Sequence, residues 1–148
     1  MTDLRAFHGK PATKAMYLAR VRAHAKADRL LHGYGYWTDG KGCALGCTME
    51  STNPHVLYPT KLGVPEELAW LEDGLFESLP PKLARTWPAR FLAAIRPGAD
   101  LAMVWPRFAV WRLADPEHGT RRLCDEAGAA ATDAIVALFQ RELGGDQP

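Results

Sequence analysis

Asp100-Leu101-Ala102-Met103-Val104-Trp105-Pro106-Arg107-Phe108-Ala109-Val110-Trp111-Arg112-Leu113 carries apolar side chains almost all the way round a helical turn. A helix without a polar face is a buried one. The stretch therefore predicts the central element of a helical core, capped by Asp100 and kinked or loosened in its first turn by Pro106. Working towards the N-terminus, Trp87-Pro88 opens a helical pattern through Ile95 that stops at Pro97-Gly98. Before it, Pro65 with Glu66 and Glu67 opens another, whose buried stripe is read as Leu68, Leu71, Leu75 and Leu79 and which ends at Pro80-Pro81. The first helix is read from Thr13 as cap, through Lys14 to about Leu31, with Tyr17, Val21, His24, Asp28 and Leu31 on one side and Gly33 as its stop. Towards the C-terminus, Asp115 to Gly119 is a turn and Thr120 to Leu123 a short extended piece. Asp125 then caps a last helix to about Leu143, with a frayed tail over 144–148.

Composition agrees with this pattern. The 148 residues hold 23 Ala and 18 Leu against 6 Val and 2 Ile, and the β-branched residues are those that half-buried strands favour. The expectation is an all-α, mainly helical fold: one compact domain over 1–148, of about five helices, with an irregular layer of Gly, aromatic and Cys residues over 33–63. Charged residues interrupt every run before it reaches the roughly 18 apolar residues of a membrane span, so no membrane role is expected. Residues 1–10 lack the apolar core of a secretory signal, and three cysteines are an odd number; a cytoplasmic protein with reduced thiols is the expectation. The net charge of +1 hides an alternation. Segments 1–41, 42–79, 80–122 and 123–148 carry +5, −5, +5 and −4. Either oppositely charged helices pack as neighbours, or the two basic segments share a face that meets an anionic partner.

The least ordinary stretch is Gly33-Tyr34-Gly35-Tyr36-Trp37-Thr38-Asp39-Gly40-Lys41-Gly42-Cys43-Ala44-Leu45-Gly46-Cys47. Cys43 stands where a short helix can begin, and unpaired amides at a helix start favour a thiolate. With His55 as the nearest base in sequence, Cys43 is the candidate nucleophile of a Cys-dependent hydrolase; alternatively the small residues here permit tight packing and Cys43 and Cys47 are buried core residues. His24, Asp28 and His32 fall on one helical face at spacings of four. With Cys43 and Cys47 folded back onto the helix end, they form a candidate zinc site, structural or hydrolytic. As binding residues, Tyr34, Tyr36 and Trp37 beside Lys41 and Arg29 can stack on a base or on a partner's side chains, or lie as lids over the core. Arg20, Arg22, Lys26 and Arg29 are read as a basic ridge on the first helix. A nucleic-acid role wants more net positive charge and a reading motif, so a protein partner is preferred. An exposed Trp70 or Trp87 would mark a homodimer contact.

Two resemblances add to this. Cys43-Ala44-Leu45-Gly46 is similar to the Cys-x-Leu-Gly core of the chemoreceptor zinc-binding domain, a helical bundle that holds zinc with three His and one Cys. Here Thr48 and the lack of a downstream His-x3-His pair depart from that pattern. Gly33 to Cys47, with Tyr58-Pro59-Thr60 and Leu62-Gly63-Val64-Pro65, resembles a family of small bacterial and phage proteins that share a Gly-Tyr-Gly-Tyr-Trp and Gly-Lys-Gly-Cys-Ala-x-Gly-Cys signature. That resemblance implies a bacterial or phage source and carries over no catalytic residue. The chain lacks a phosphate loop, a dinucleotide fingerprint and a nucleophile motif with its base at a known spacing. The leading expectation is a non-enzymatic interaction protein, phage- or defence-related, that presents the aromatic loop and the basic ridge; the alternative is the metal or thiol site.

Overall fold

A computed structural model describes residues 4–145. They are mainly helical and contain no sheet. Seven α-helices stand among them: α1 (Pro11–Lys26), α2 (Ala44–Met49), α3 (Glu66–Ser78), α4 (Pro81–Ala84), α5 (Trp87–Ala94), α6 (Val104–Ala114) and α7 (Glu126–Gly144). The helices group into two compact units, one up to Leu101 and one from Ala102 onwards.

The first unit closes on itself by backbone pairing of its ends. The Ala6 amide donates to Ala99 O at 2.9 Å, Gly98 N to Ala6 O at 2.7 Å and Leu101 N to Leu4 O at 3.3 Å. Lys14 on α1 donates its ammonium to the carbonyls of Ala93 and Ile95, both at 2.7 Å. Those carbonyls end α5 without helical partners, so the lysine caps them and fastens α1 to α5.

The buried centre of this unit is α2. All six of its residues are buried, although it lies in the stretch expected to be an irregular covering layer. The glycines around it explain how so short a helix is enclosed. The carbonyl of Tyr36 sits against both Gly42 and Gly46, where a Cβ would stand 1.8 Å and 1.2 Å from that oxygen. The segment 29–42 is tied beneath by Gly42 N to Arg29 O, Leu31 N to Gly42 O and Cys43 N to Gly35 O, all 2.9–3.0 Å. Around α2 gather Phe7, Val21, Tyr58, Leu62, Val64, Phe76 and Leu92 as the rest of the apolar core. A π-helical turn at Tyr58–Leu62 delivers two of these inward.

Several expectations are corrected here. Helix α1 begins at Pro11, whose fixed φ suits a first helical position, and not behind Thr13. It ends at Lys26 because Asp28 takes a left-handed φ of 54°, so His32 lies beyond any helix. On α3 the inward face is Leu68, Ala69, Glu72 and Phe76. Leu75 is exposed and Leu71 and Leu79 are only half-buried, because the stripe is centred on Phe76 and not on the leucines. The stretch quoted first is not the central element: α6 buries only Pro106 and Ala109, and Met103 and Trp111 are exposed.

In the second unit, α6 packs on α7 with a 3-10 turn at Thr120–Leu123 where an extended piece is expected. Arg121 fastens that turn to Asp133 through two hydrogen bonds of 2.5 and 2.7 Å. Asp125 caps α7 as read from the sequence, its side chain accepting from Gly128 N at 2.8 Å. Gly145 caps the other end in a left-handed conformation; the remainder of the expected tail lies outside the described residues.

The enclosure of α2 leads to a first expectation. Gly46→Ala puts a methyl group against the Tyr36 carbonyl, which the surrounding hydrogen bonds hold in place, and should cost at least about 3 kcal/mol of stability. Urea unfolding monitored by circular dichroism measures this; a variant as stable as the parent would show that the carbonyl moves freely.

Candidate functional site

The residues expected to form one metal site occupy separate environments. His24 is buried and its Nε2 lies 2.9 Å from Glu50 Oε1, with the Trp37 ring edge-on at 5.1 Å. Asp28 is exposed and pairs with Arg85 at 2.8 Å. His32 is also exposed and meets the Phe76 ring edge-on at 4.6 Å. Cys47 donates its thiol to the carbonyls of Arg29 and Gly42, both 3.4 Å away. No group of three or more His, Cys, Asp or Glu side chains is placed to hold a metal among the described residues. The column of 24, 28 and 32 fails for the reason α1 ends early: the left-handed turn at Asp28 swings the following residues off the helical face.

Cys43 stands at the start of α2 as expected, but its thiol is not activated. Burial, helped by the nearby Asp73 carboxylate, pushes its pKa up to about 12 even though the amides of Gly46 and Leu45 pull it part of the way back. Burial likewise pushes Cys47 up to about 11. Both thiols therefore stay protonated at neutral pH, contrary to the thiolate that the helix start alone would favour.

The surroundings of His55 contain residues that the sequence reading missed. Trp70 stacks on the His55 ring at 3.4 Å between centroids, and Tyr36 meets it edge-on at 4.8 Å. Its Nε2 lies 3.9 Å from Asp73 Oδ2, beyond hydrogen-bond reach, and burial pushes its pKa down, partly offset by Asp73 and Glu66. Behind it the Tyr58 hydroxyl donates to Glu72 Oε2 at 2.7 Å in a fully buried pair. His55 Nε2, Asp73 Oδ1 and Glu72 Oε1 have no hydrogen-bond partner. A signal for Glu72 was present in the sequence: it falls four residues after Leu68 and four before Phe76, a carboxyl in the middle of an apolar face.

The expected aromatic loop is mostly spent on this packing. Tyr36 rests on His55 and Trp37 on His24, while Tyr34 is exposed. Of the basic ridge, Arg20 turns away to Thr48 O at 3.0 Å and to the Tyr17 ring. Arg29 and Lys41 lie in the segment after α1. Of the two tryptophans named for a homodimer contact, Trp70 is 53% exposed, whereas Trp87 is turned inward, donating its indole N–H to Glu72 O at 3.1 Å.

What the fold does bring together is the pair of basic segments. Arg22 and Lys26 of α1, Arg85 just after α4 and Arg90 of α5 line a groove of about 500 Å³ together with Ala25, Thr86, Ala89 and Ala93. Four cations thus rim one apolar trough. Arg85 alone has an acidic partner, Asp28; Arg22, Lys26 and Arg90 have none among the described residues. A second pocket of about 260 Å³ adjoins it, sharing Ala25 and Arg85, and is walled by Leu30, Leu31, His32, Phe76 and Ala84.

Two measurements check this account. Cys124 is exposed and Cys43 and Cys47 are buried, so a thiol reagent should titrate one group in the native protein and three in denaturant; fast reaction of Cys43 would contradict the sealed site. Burial also raises the Glu72 carboxyl from 4.5 to about 8. The folded chain then holds a proton that the unfolded chain releases, so the stability Glu72 supports is complete below pH 4.5 and lost as the pH rises through about 8. Glu72→Gln removes that ionisation while keeping an acceptor for Tyr58. Melting temperatures between about pH 5 and pH 9 should fall more steeply for the parent than for the variant; parallel curves would refute the assignment.

Comparison of the chain with protein-family models, with curated proteins and with solved structures finds no match.

Proposed function

We propose that this chain is an interaction protein that uses the groove between α1 and α5 to hold an acidic segment of a protein partner. The observation that carries this reading is the convergence of Arg22, Lys26, Arg85 and Arg90, drawn from two distant basic segments, on a trough lined by alanine. Like charges assembled on one surface repel each other and lower stability, unless a ligand of opposite sign brings them together. An acidic amphipathic helix suits both parts of the groove: small apolar side chains meet the alanines and carboxylates meet the cations. A nucleic acid fits less well. Of the loop aromatics that would stack on bases, Tyr36 and Trp37 are packed on His55 and His24, and the chain's net charge is only +1. A phage- or defence-related setting rests on the family resemblance alone.

The reading is tested with a fluorescent helix-forming peptide that carries Glu along one face and Ala along the other, titrated by anisotropy. Binding should weaken steeply with salt and fall about tenfold or more in Arg22→Glu with Arg90→Glu. Both positions are exposed, so the helical circular dichroism of that variant should match the parent. Equal affinity of parent and variant, or tighter binding of duplex DNA than of the peptide, would overturn the reading.

A further inference from the structure

We infer that the partner's acidic segment carries one bulky aromatic side chain, which seats in the pocket beside the cationic groove. This inference rests on the reading of the groove as the site for an acidic protein segment. The pocket and the groove share Ala25 and Arg85 as a common border, so a chain lying in one passes directly over the other. Their chemistry divides cleanly. The free cations Arg22, Lys26 and Arg90 line only the groove, whereas the pocket is walled by Leu30, Leu31, Phe76 and Ala84. Its single cation, Arg85, is paired with Asp28 at 2.8 Å, so the pocket carries a balanced ion pair and no surplus positive charge.

Size narrows the occupant. At about 260 Å³ the pocket falls below the roughly 300–1,000 Å³ typical of small-molecule sites, and suits one large side chain supplied by a partner that is held elsewhere. The walls favour a ring. His32 is exposed and meets the buried Phe76 ring edge-on at 4.6 Å with an interplanar angle of 79°, so its imidazole offers a ring face against which an inserted aromatic can stack. At the mouth, the Asp28 carboxylate keeps lone pairs beyond those that Arg85 uses, and can accept from an indole N–H. An apolar anchor in a pocket, with charged groups around it, is also the arrangement that concentrates binding energy in protein interfaces.

Two acidic peptides of the same frame test this, one with a central Trp and one with Ala in its place. The parent protein should bind the Trp peptide about tenfold or more tightly than the Ala peptide. His32→Trp fills the pocket from its exposed wall without touching the groove; it should abolish that preference and leave the affinity for the Ala peptide unchanged. Equal binding of the two peptides by the parent protein would overturn the anchor while leaving the groove reading intact. Failure of both peptides to bind would overturn the groove reading itself. A Trp preference that survives His32→Trp would place the anchor elsewhere and also refute the inference.

Discussion

The first unit depends on one close approach, the Tyr36 carbonyl lying against Gly42 and Gly46. Because neither glycine has a Cβ, a loop backbone can lie directly on the first turn of α2 and shield it on a side where side chains would otherwise hold it away. That contact lets a helix of six residues be buried completely. It also commits the loop: with Tyr36 in this position, Cys43 donates its backbone amide to Gly35 and Cys47 sends its thiol to two carbonyls of the same loop. The backbone groups where this loop meets α2 are thus satisfied from within, which a contact against a buried helix needs.

This explains which parts of the fold could be read in the sequence and which could not. Helix composition, the proline entries at residues 65 and 88 and the Asp125 cap are local signals, and each appears close to where it is expected. Burial is a collective property. The run 101–113 is apolar all round, yet α6 pairs with α7 and leaves Trp111 exposed. The segment 42–49, too short and glycine-rich to show a period, is the core. The site shows the same division. Cys43 and His55 were legible as unusual residues, but Asp73, Glu72 and Trp70 come from a helix whose face the leucines misidentified. The left-handed turn at Asp28 separated His24 from His32, and a spacing of four carries no information about where a helix stops.

The cluster around His55 shows what close packing has cost the interior. Three polar atoms there lack hydrogen bonds, and a buried acceptor or imidazole left unpaired costs about 1–3 kcal/mol. Burial keeps Glu72 protonated near neutral pH, which spares the interior a carboxylate charge, and keeps the buried cysteines as thiols. Residues that look reactive in sequence are thereby quietened in the fold. Their charge is suppressed by the same enclosure that makes α2 the core.

The basic residues have the opposite fate. Lys14 is consumed in capping α5 and Arg20 in bonding Thr48, each spent on holding the unit together. Once those are accounted for, the cations left over on α1 are Arg22 and Lys26, and they lie where Arg85 and Arg90 also emerge. Part of the alternating charge does pair neighbouring helices, since Arg20 of α1 lies 3.8 Å from Glu50, but Arg22, Lys26 and Arg90 meet no acidic residue of 42–79. Instead Asp73 faces the buried thiol, Glu72 is bonded to Tyr58 and Glu50 is taken by His24. Arg22, Lys26 and Arg90 are thus left on one groove with no acidic partner among the described residues, beside the Arg85–Asp28 ion pair.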